Sequence, residues 1–178
     1  MSRTSRVAAS AATLVTAALF GAAAHAHVTL EKASAPAGAS YKAVLRVPHG
    51  CEGSATIRLR VRIPDGVLNV KPQPKPGWTI ASVREKLAKP AMLGHGREVT
   101  ETIREVSWSG GRLPDDYYDE FAFRIELPDT PGKTIYFPVV QECEKGVERW
   151  IEIPEPGKSR RDYEKPAPEL KLLPKSEH

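Results

Sequence analysis

The stretch Ala55-Thr-Ile-Arg-Leu-Arg-Val-Arg-Ile63 alternates without interruption, with Ile57, Leu59, Val61 and Ile63 on one face and Arg58, Arg60 and Arg62 on the other. A period of two marks a strand with one buried and one solvated face. Comparable runs cover His27–Lys32, Tyr41–Val47, Trp78–Arg84, Val99–Trp108, Glu120–Leu127, Thr134–Val140 and Arg149–Ile153. Between them lie turn formers: Pro36-Ala-Gly38, Pro64-Asp-Gly66, Pro72-Gln-Pro-Lys-Pro-Gly77, Gly110-Gly111 and Pro128-Asp-Thr-Pro-Gly132. About eight short strands at this spacing predict an all-β fold, an antiparallel β-sandwich of immunoglobulin or cupredoxin type.

The two ends depart from this pattern. Arg3 and Arg6 precede an Ala-rich apolar run, Val7 to Ala24, which closes on Ala24-His25-Ala26. A positive start, an apolar centre and small residues before the cleavage point describe an export signal over residues 1–26, cut after Ala26. A retained membrane anchor is the competing reading; the run is dominated by alanine and passes straight into strand-like sequence, which favours cleavage. The protein is then periplasmic or secreted, and no later apolar run reaches the roughly 20 residues that a membrane span needs. From Pro154 the prolines Pro154, Pro156, Pro166, Pro168 and Pro174 alternate with charges. Residues 27–153 therefore read as the domain and 154–178 as an extended, proline-rich charged tail.

Composition narrows the class further. The chain has 178 residues, 40% hydrophobic and 27% charged, enough for one domain with a true core. Prolines (16) outnumber glycines (13), against a helical bundle. Arg3 and Arg6 supply two of the 26 basic residues, leaving 24 against 22 acids, a net of +2 without a basic stripe. Nucleic-acid binding has no electrostatic footprint here. Cys51 and Cys143 are an even pair in an oxidising compartment and read as a disulfide. A thiolate metal pair is the alternative, weakened by their wide separation and the absence of a CxxC.

Cleavage after Ala26 makes His27 the first residue. Its α-amine titrates near 8, and the imidazole Nδ1 can close a chelate ring with that amine on one ion. Nitrogen donors in one plane favour Cu(II), which stands at the top of the divalent affinity order. Cleavage after Ala24 instead leaves His25-Ala26-His27, which also binds Cu(II), through the amine, two amides and an imidazole. With five histidines in the chain, a histidine at this position also arises by coincidence.

Several motifs appear in order: Ala-His-Ala-His27-Val-Thr-Leu after the signal, Val47-Pro-His-Gly-Cys-Glu52-Gly-Ser, Pro76-Gly-Trp78, Tyr118-Asp-Glu120-Phe-Ala-Phe, Phe137-Pro-Val-Val-Gln-Glu-Cys143 and Glu148-Arg-Trp150. Together they resemble the YcnI-like family, domain of unknown function 1775, across His27 to about Ile153. The resemblance implies an exported β-sandwich that binds one Cu(II) in a mono-histidine brace, with a carboxylate as auxiliary ligand and a tryptophan close by. It implies a copper-trafficking role, with periplasmic copper chaperones or transporters as partners. Carried onto this chain, the brace histidine is His27 and the tryptophan is Trp150. Some members carry a C-terminal membrane helix; no such run follows Pro154 here, so the expectation is free diffusion.

For the auxiliary carboxylate, Glu120 opens an alternating strand and Glu52 lies beside Cys51, in a loop that a Cys51–Cys143 bond would hold. The two stand nearly level, Asp119 is a third, and any of them can equally be a solvated surface acid. His49 is a second ligand or a polar turn residue. Met92 and His95, in Pro90-Ala-Met-Leu-Gly-His-Gly96, sit in what reads as a flexible loop able to catch Cu(I). Trp78 and Trp108 read as core or edge aromatics.

The leading function is thus a non-enzymatic protein that buffers or delivers Cu(II) outside the cytoplasm. A copper-dependent oxidase or monooxygenase is the enzymatic alternative, though only His49, His95 and His178 remain to supply a second histidine. An adhesion or interaction module without metal is the third class.

Overall fold

Strands form where branched and aromatic side chains alternate with charge, and the computed structural model describes residues 27–93 and 96–175. In chain order they begin with β1 (Thr29–Leu30), β2 (Ser34–Pro36), β3 (Ser40–Val47) and β4 (Thr56–Arg62). There follow β5 (Leu68–Pro72), β6 (Thr79–Met92), β7 (Glu98–Leu113) and β8 (Asp119–Glu126). The last are β9 (Thr134–Tyr136), β10 (Val139–Cys143), β11 (Val147–Trp150) and β12 (Glu169–Leu173). They make a four-stranded sheet ordered β1-β3-β8-β5, a five-stranded sheet ordered β11-β10-β4-β7-β6 and a three-stranded sheet ordered β2-β12-β9. All pairings are antiparallel except β2 with β12. The all-β, largely antiparallel architecture is the one the alternation predicts. Among the described residues no helix is long and apolar enough to cross a membrane.

The core lies between the sheets and centres on Trp108, Phe121, Phe123, Phe137, Leu45 and Leu59, none more than 1% exposed. Trp108 meets Phe121 edge-on with centroids 5.5 Å apart, and Trp78 meets the same ring at 5.0 Å. Gly111 makes the second contact possible: a Cβ there would lie 2.3 Å from the Trp78 indole. Both tryptophans are aromatics of the core and its edge, as their sequence context suggests.

Three expectations are corrected. Ile57 does not face the core: it is 38% exposed while Thr56 is fully buried. In the pairing of β4 with β10 the register shifts between Glu142 and Cys143, and Ile57, the extra residue on β4, reverses the side-chain parity. Among the described residues the strands number twelve rather than about eight. The Thr134–Val140 run divides into β9 and β10 around Phe137-Pro138, where Phe137 N donates to the Pro168 carbonyl and the Pro138 carbonyl accepts from Arg62 N. Short strands β2 and β5 hold too few residues to show a period.

The third correction concerns the boundary at Pro154. The segment read as a tail returns to the domain, pairing Glu152 with Pro166 in an isolated bridge and then forming β12 between β2 and β9. Ala167, Leu170 and Leu172 are fully buried. Leu170-Lys-Leu172 has a period of two, but it is too brief to stand out among prolines and charges. In the Pro90–Gly96 stretch, β6 runs on through Met92 with a register shift between Lys86 and Ala91, so Met92 is an exposed strand residue. His95 and His178, like the signal segment with His25 and both cleavage points, lie outside the described residues.

Candidate metal centre

His27 is held at the entrance to β1 because the next residues are fixed: Val28 and Leu30 are buried, and Thr29 lies opposite Arg46 on β3. Its ring packs edge-on against the Trp150 indole, with centroids 5.3 Å apart and planes at 75°. Its Nε2 lies 3.0 Å from the Glu164 carbonyl oxygen. A carbonyl only accepts, so Nε2 carries the proton and Nδ1 is the lone-pair nitrogen of the neutral ring.

Trp150 ends β11 and is 5% exposed. Its Nε1–H donates to Gln141 Oε1 at 3.1 Å. The Gln141 amide in turn donates to the His49 carbonyl at 2.7 Å and to Thr56 Oγ1 at 2.8 Å. The bulge in β4 aims the Thr56 hydroxyl inward to that amide.

Glu52 occupies a two-residue turn closed by Cys51 N to Ser54 O and Ser54 N to Cys51 O, both 2.9 Å. Its φ of 49° and the 81° of Gly53 are the left-handed pair that such a tight hairpin turn demands. Three restraints pin the approach to this turn: the His49 carbonyl to Gln141, Gly50 N to Asp115 Oδ1 at 2.9 Å, and the Cys51–Cys143 disulfide. Gly50 is required there, since a Cβ would lie 1.9 Å from the Ser54 carbonyl oxygen. The disulfide joins residues 92 apart with Cα atoms at 5.9 Å. Closing so long a loop removes about 4–5 kcal/mol of unfolded-state entropy in the chain-entropy account.

Lys165 joins these pieces. Its ammonium donates to Glu148 and stands 6.0 Å from the Trp150 ring centroid. That hydrogen bond is the largest cause holding the ammonium above its ordinary range; partial burial opposes it, and the charges of Glu148, Glu164 and Glu52 add to it. The charge of Glu52 thus reaches the ammonium that stands beside the indole against which His27 packs.

Glu120 lies elsewhere. It pairs across β8 and β3 with Arg46, whose guanidinium lies 3.4 Å from both Glu120 and Glu31. Because Arg46 itself lies opposite Thr29, Glu120 is two strands from β1, on the exposed face. Asp119 is ion-paired to Lys75 at 2.7 Å. His49 is a turn residue whose Nδ1 donates to the Gly50 carbonyl at 2.7 Å. Among the described residues no three His, Cys, Asp or Glu side chains form a ready ligand group.

Sequence reasoning passed over Gln141, Glu148, Glu164 and Lys165. Glu148 was recoverable, since it stands two residues from Trp150 on one strand face. Gln141 also left a trace, as a polar residue at a core position between Val139 and Cys143. Glu164 and Lys165 were hidden by the assignment of their segment to a tail.

Comparison with curated proteins gives no match. Among solved structures, the chain is similar to an uncharacterized protein from Nocardia farcinica whose crystal structure reveals an immunoglobulin-like fold. The two are 28% identical, with a TM-score of 0.62, over 83% of this chain and 98% of that one. Residues 27–172 match the family model described as Domain of unknown function (DUF1775), a span that starts at His27 and ends within β12, and the chain belongs to that family.

Proposed function

We propose that this β-sandwich is an exported copper-binding protein that holds one Cu(II) at His27, once removal of residues 1–26 frees the α-amine, for periplasmic copper trafficking or buffering. The observation that carries the reading is the hydrogen bond from His27 Nε2 to the Glu164 carbonyl. It fixes the tautomer whose Nδ1 can share a chelate ring with the residue's own amine, and an outer carbonyl on the far ring nitrogen is how metal-binding histidines are commonly oriented. A divalent ion supplies positive charge, and Glu52, whose charge is felt by Lys165 beside the Trp150 indole, is a better candidate to complement it than Glu120, already engaged by Arg46. The indole of Trp150 covers one side of the imidazole and limits its rotation. A terminal site with one imidazole leaves positions open for exchange with a chaperone or transporter, which suits carriage rather than catalysis.

The test is a Cu(II) titration followed by EPR on protein beginning at His27, beside a version with one extra N-terminal residue. Tight 1:1 binding that is lost, or gives a different spectrum, in the extended version establishes the amine as a ligand. Equal binding and identical spectra sink the brace. The metal-free interaction module would then be the better reading.

A further inference from the structure

Gln141 is 1% exposed on a strand whose neighbouring core positions are apolar, and burying an amide there is unfavourable unless every polar atom is bonded. Here all are. The indole of Trp150 can only donate, so it meets Oε1; the His49 carbonyl can only accept, so it meets Nε2. The partners thus fix the amide orientation without ambiguity. Few side chains could replace it, because the position needs an acceptor toward β11 and donors toward the turn and β4 at once.

We propose that Gln141 is a positioning residue: its amide sets the Trp150 indole, and through it the His27 ring, in register with the Glu52 turn. The inference deepens the copper reading and rests on it for its metal-dependent arm. One end of the amide determines where the indole stands, and His27 packs edge-on against that indole. The other end holds the His49 carbonyl, three residues before Glu52. Gln141 itself touches neither His27 nor Glu52 through any of these hydrogen bonds.

Three variants of the protein beginning at His27 test this. Gln141→Met fills the same volume but loses every link; Gln141→Glu keeps an acceptor for the indole; Thr56→Val removes only the bond to β4. Cu(II) affinity should fall about tenfold in Gln141→Met, the loss expected when an outer-shell partner is removed, with a changed EPR spectrum. Thr56→Val should keep both close to wild type. The metal-free readout is independent of copper: the His27 ring protons, at the edge of the indole, carry a ring-current shift in proton NMR. That shift should collapse in Gln141→Met and survive in Gln141→Glu and Thr56→Val. Unmoved His27 resonances in folded Gln141→Met overturn the positioning role. If Gln141→Met does not fold, loss of the shift in Gln141→Glu, where the acceptor is retained, overturns it equally. Wild-type protein that binds no Cu(II) refutes the copper reading instead, and the NMR arm still decides the role of Gln141.

Discussion

Lys165 places its ammonium on Glu148 beside the Trp150 ring, so a fixed positive charge stands next to the indole that His27 packs against. Such a charge opposes a divalent cation at His27 while holding the nearby carboxylates in place. At a separation of several ångströms and an effective dielectric between protein and water, the opposition is about 1 kcal/mol. Lys165→Met should therefore tighten Cu(II) binding by roughly fivefold in low salt, and less as salt screens the charge. Calorimetric titration at two ionic strengths checks this, and weaker binding in the variant would contradict it. The same change strands the half-buried Glu148, so thermal stability should drop by about 1 kcal/mol.

The two candidate carboxylates separate experimentally. Glu52→Gln should alter the Cu(II) EPR spectrum, because the charge of Glu52 reaches Lys165, which stands beside the Trp150 ring. Glu120→Gln should leave it unchanged, since its carboxylate serves Arg46, which retains Glu31 as a partner. As an exposed ion pair, it should also cost less than about 1 kcal/mol of stability. If Glu120→Gln alone moves the spectrum, the assignment reverses.

The sheets were legible wherever a long alternating run met no interruption: β3, β4 and β8 lie where their period of two places them. Legibility failed where local rules were overridden by tertiary pairing. A bulge at Thr56–Arg58 turned Ile57 outward, a change that one strand alone cannot disclose because it depends on the pairing with β10. Pro138 divided one apparent strand, and the β12 residues looked like a tail because their partners in β2 and β9 are 137 and about 35 residues away. At the site, His27, Trp150, Glu52 and the Cys51–Cys143 pair could be named from residue type and motif. Their surroundings could not, because Gln141, Glu148 and Lys165 take their importance from which strands become neighbours.

The return of the C-terminal segment makes a direct stability prediction. Leu170 is fully buried between the strands flanking β12. Replacing it by alanine removes apolar contacts and leaves a cavity, which should cost about 2–5 kcal/mol. Leu173, on the same strand but 38% exposed, should tolerate alanine with a loss below about 1 kcal/mol. Denaturant unfolding of the two variants distinguishes an integrated strand from a dispensable tail, and equal, negligible effects would restore the tail.

Alkaline stability turns on Tyr41, whose hydroxyl donates to the Lys32 carbonyl at 2.7 Å. Burial, helped by the charge of Glu31, pushes its pKa up from 10.0 to about 12. Between those values the unfolded chain releases the phenolic proton while the folded chain keeps it, so the folded state binds more protons and stability falls as pH rises. The contribution is fully present below pH 10 and is lost as pH passes through about 12. Tyr41→Phe has no proton to release and should flatten this part of the profile. At neutral pH the variant loses its hydrogen bond and should be about 1 kcal/mol less stable than wild type. The two stability curves, measured by denaturant unfolding from pH 7 to 12, should therefore converge at the alkaline end, and parallel curves would show that another group governs alkaline unfolding.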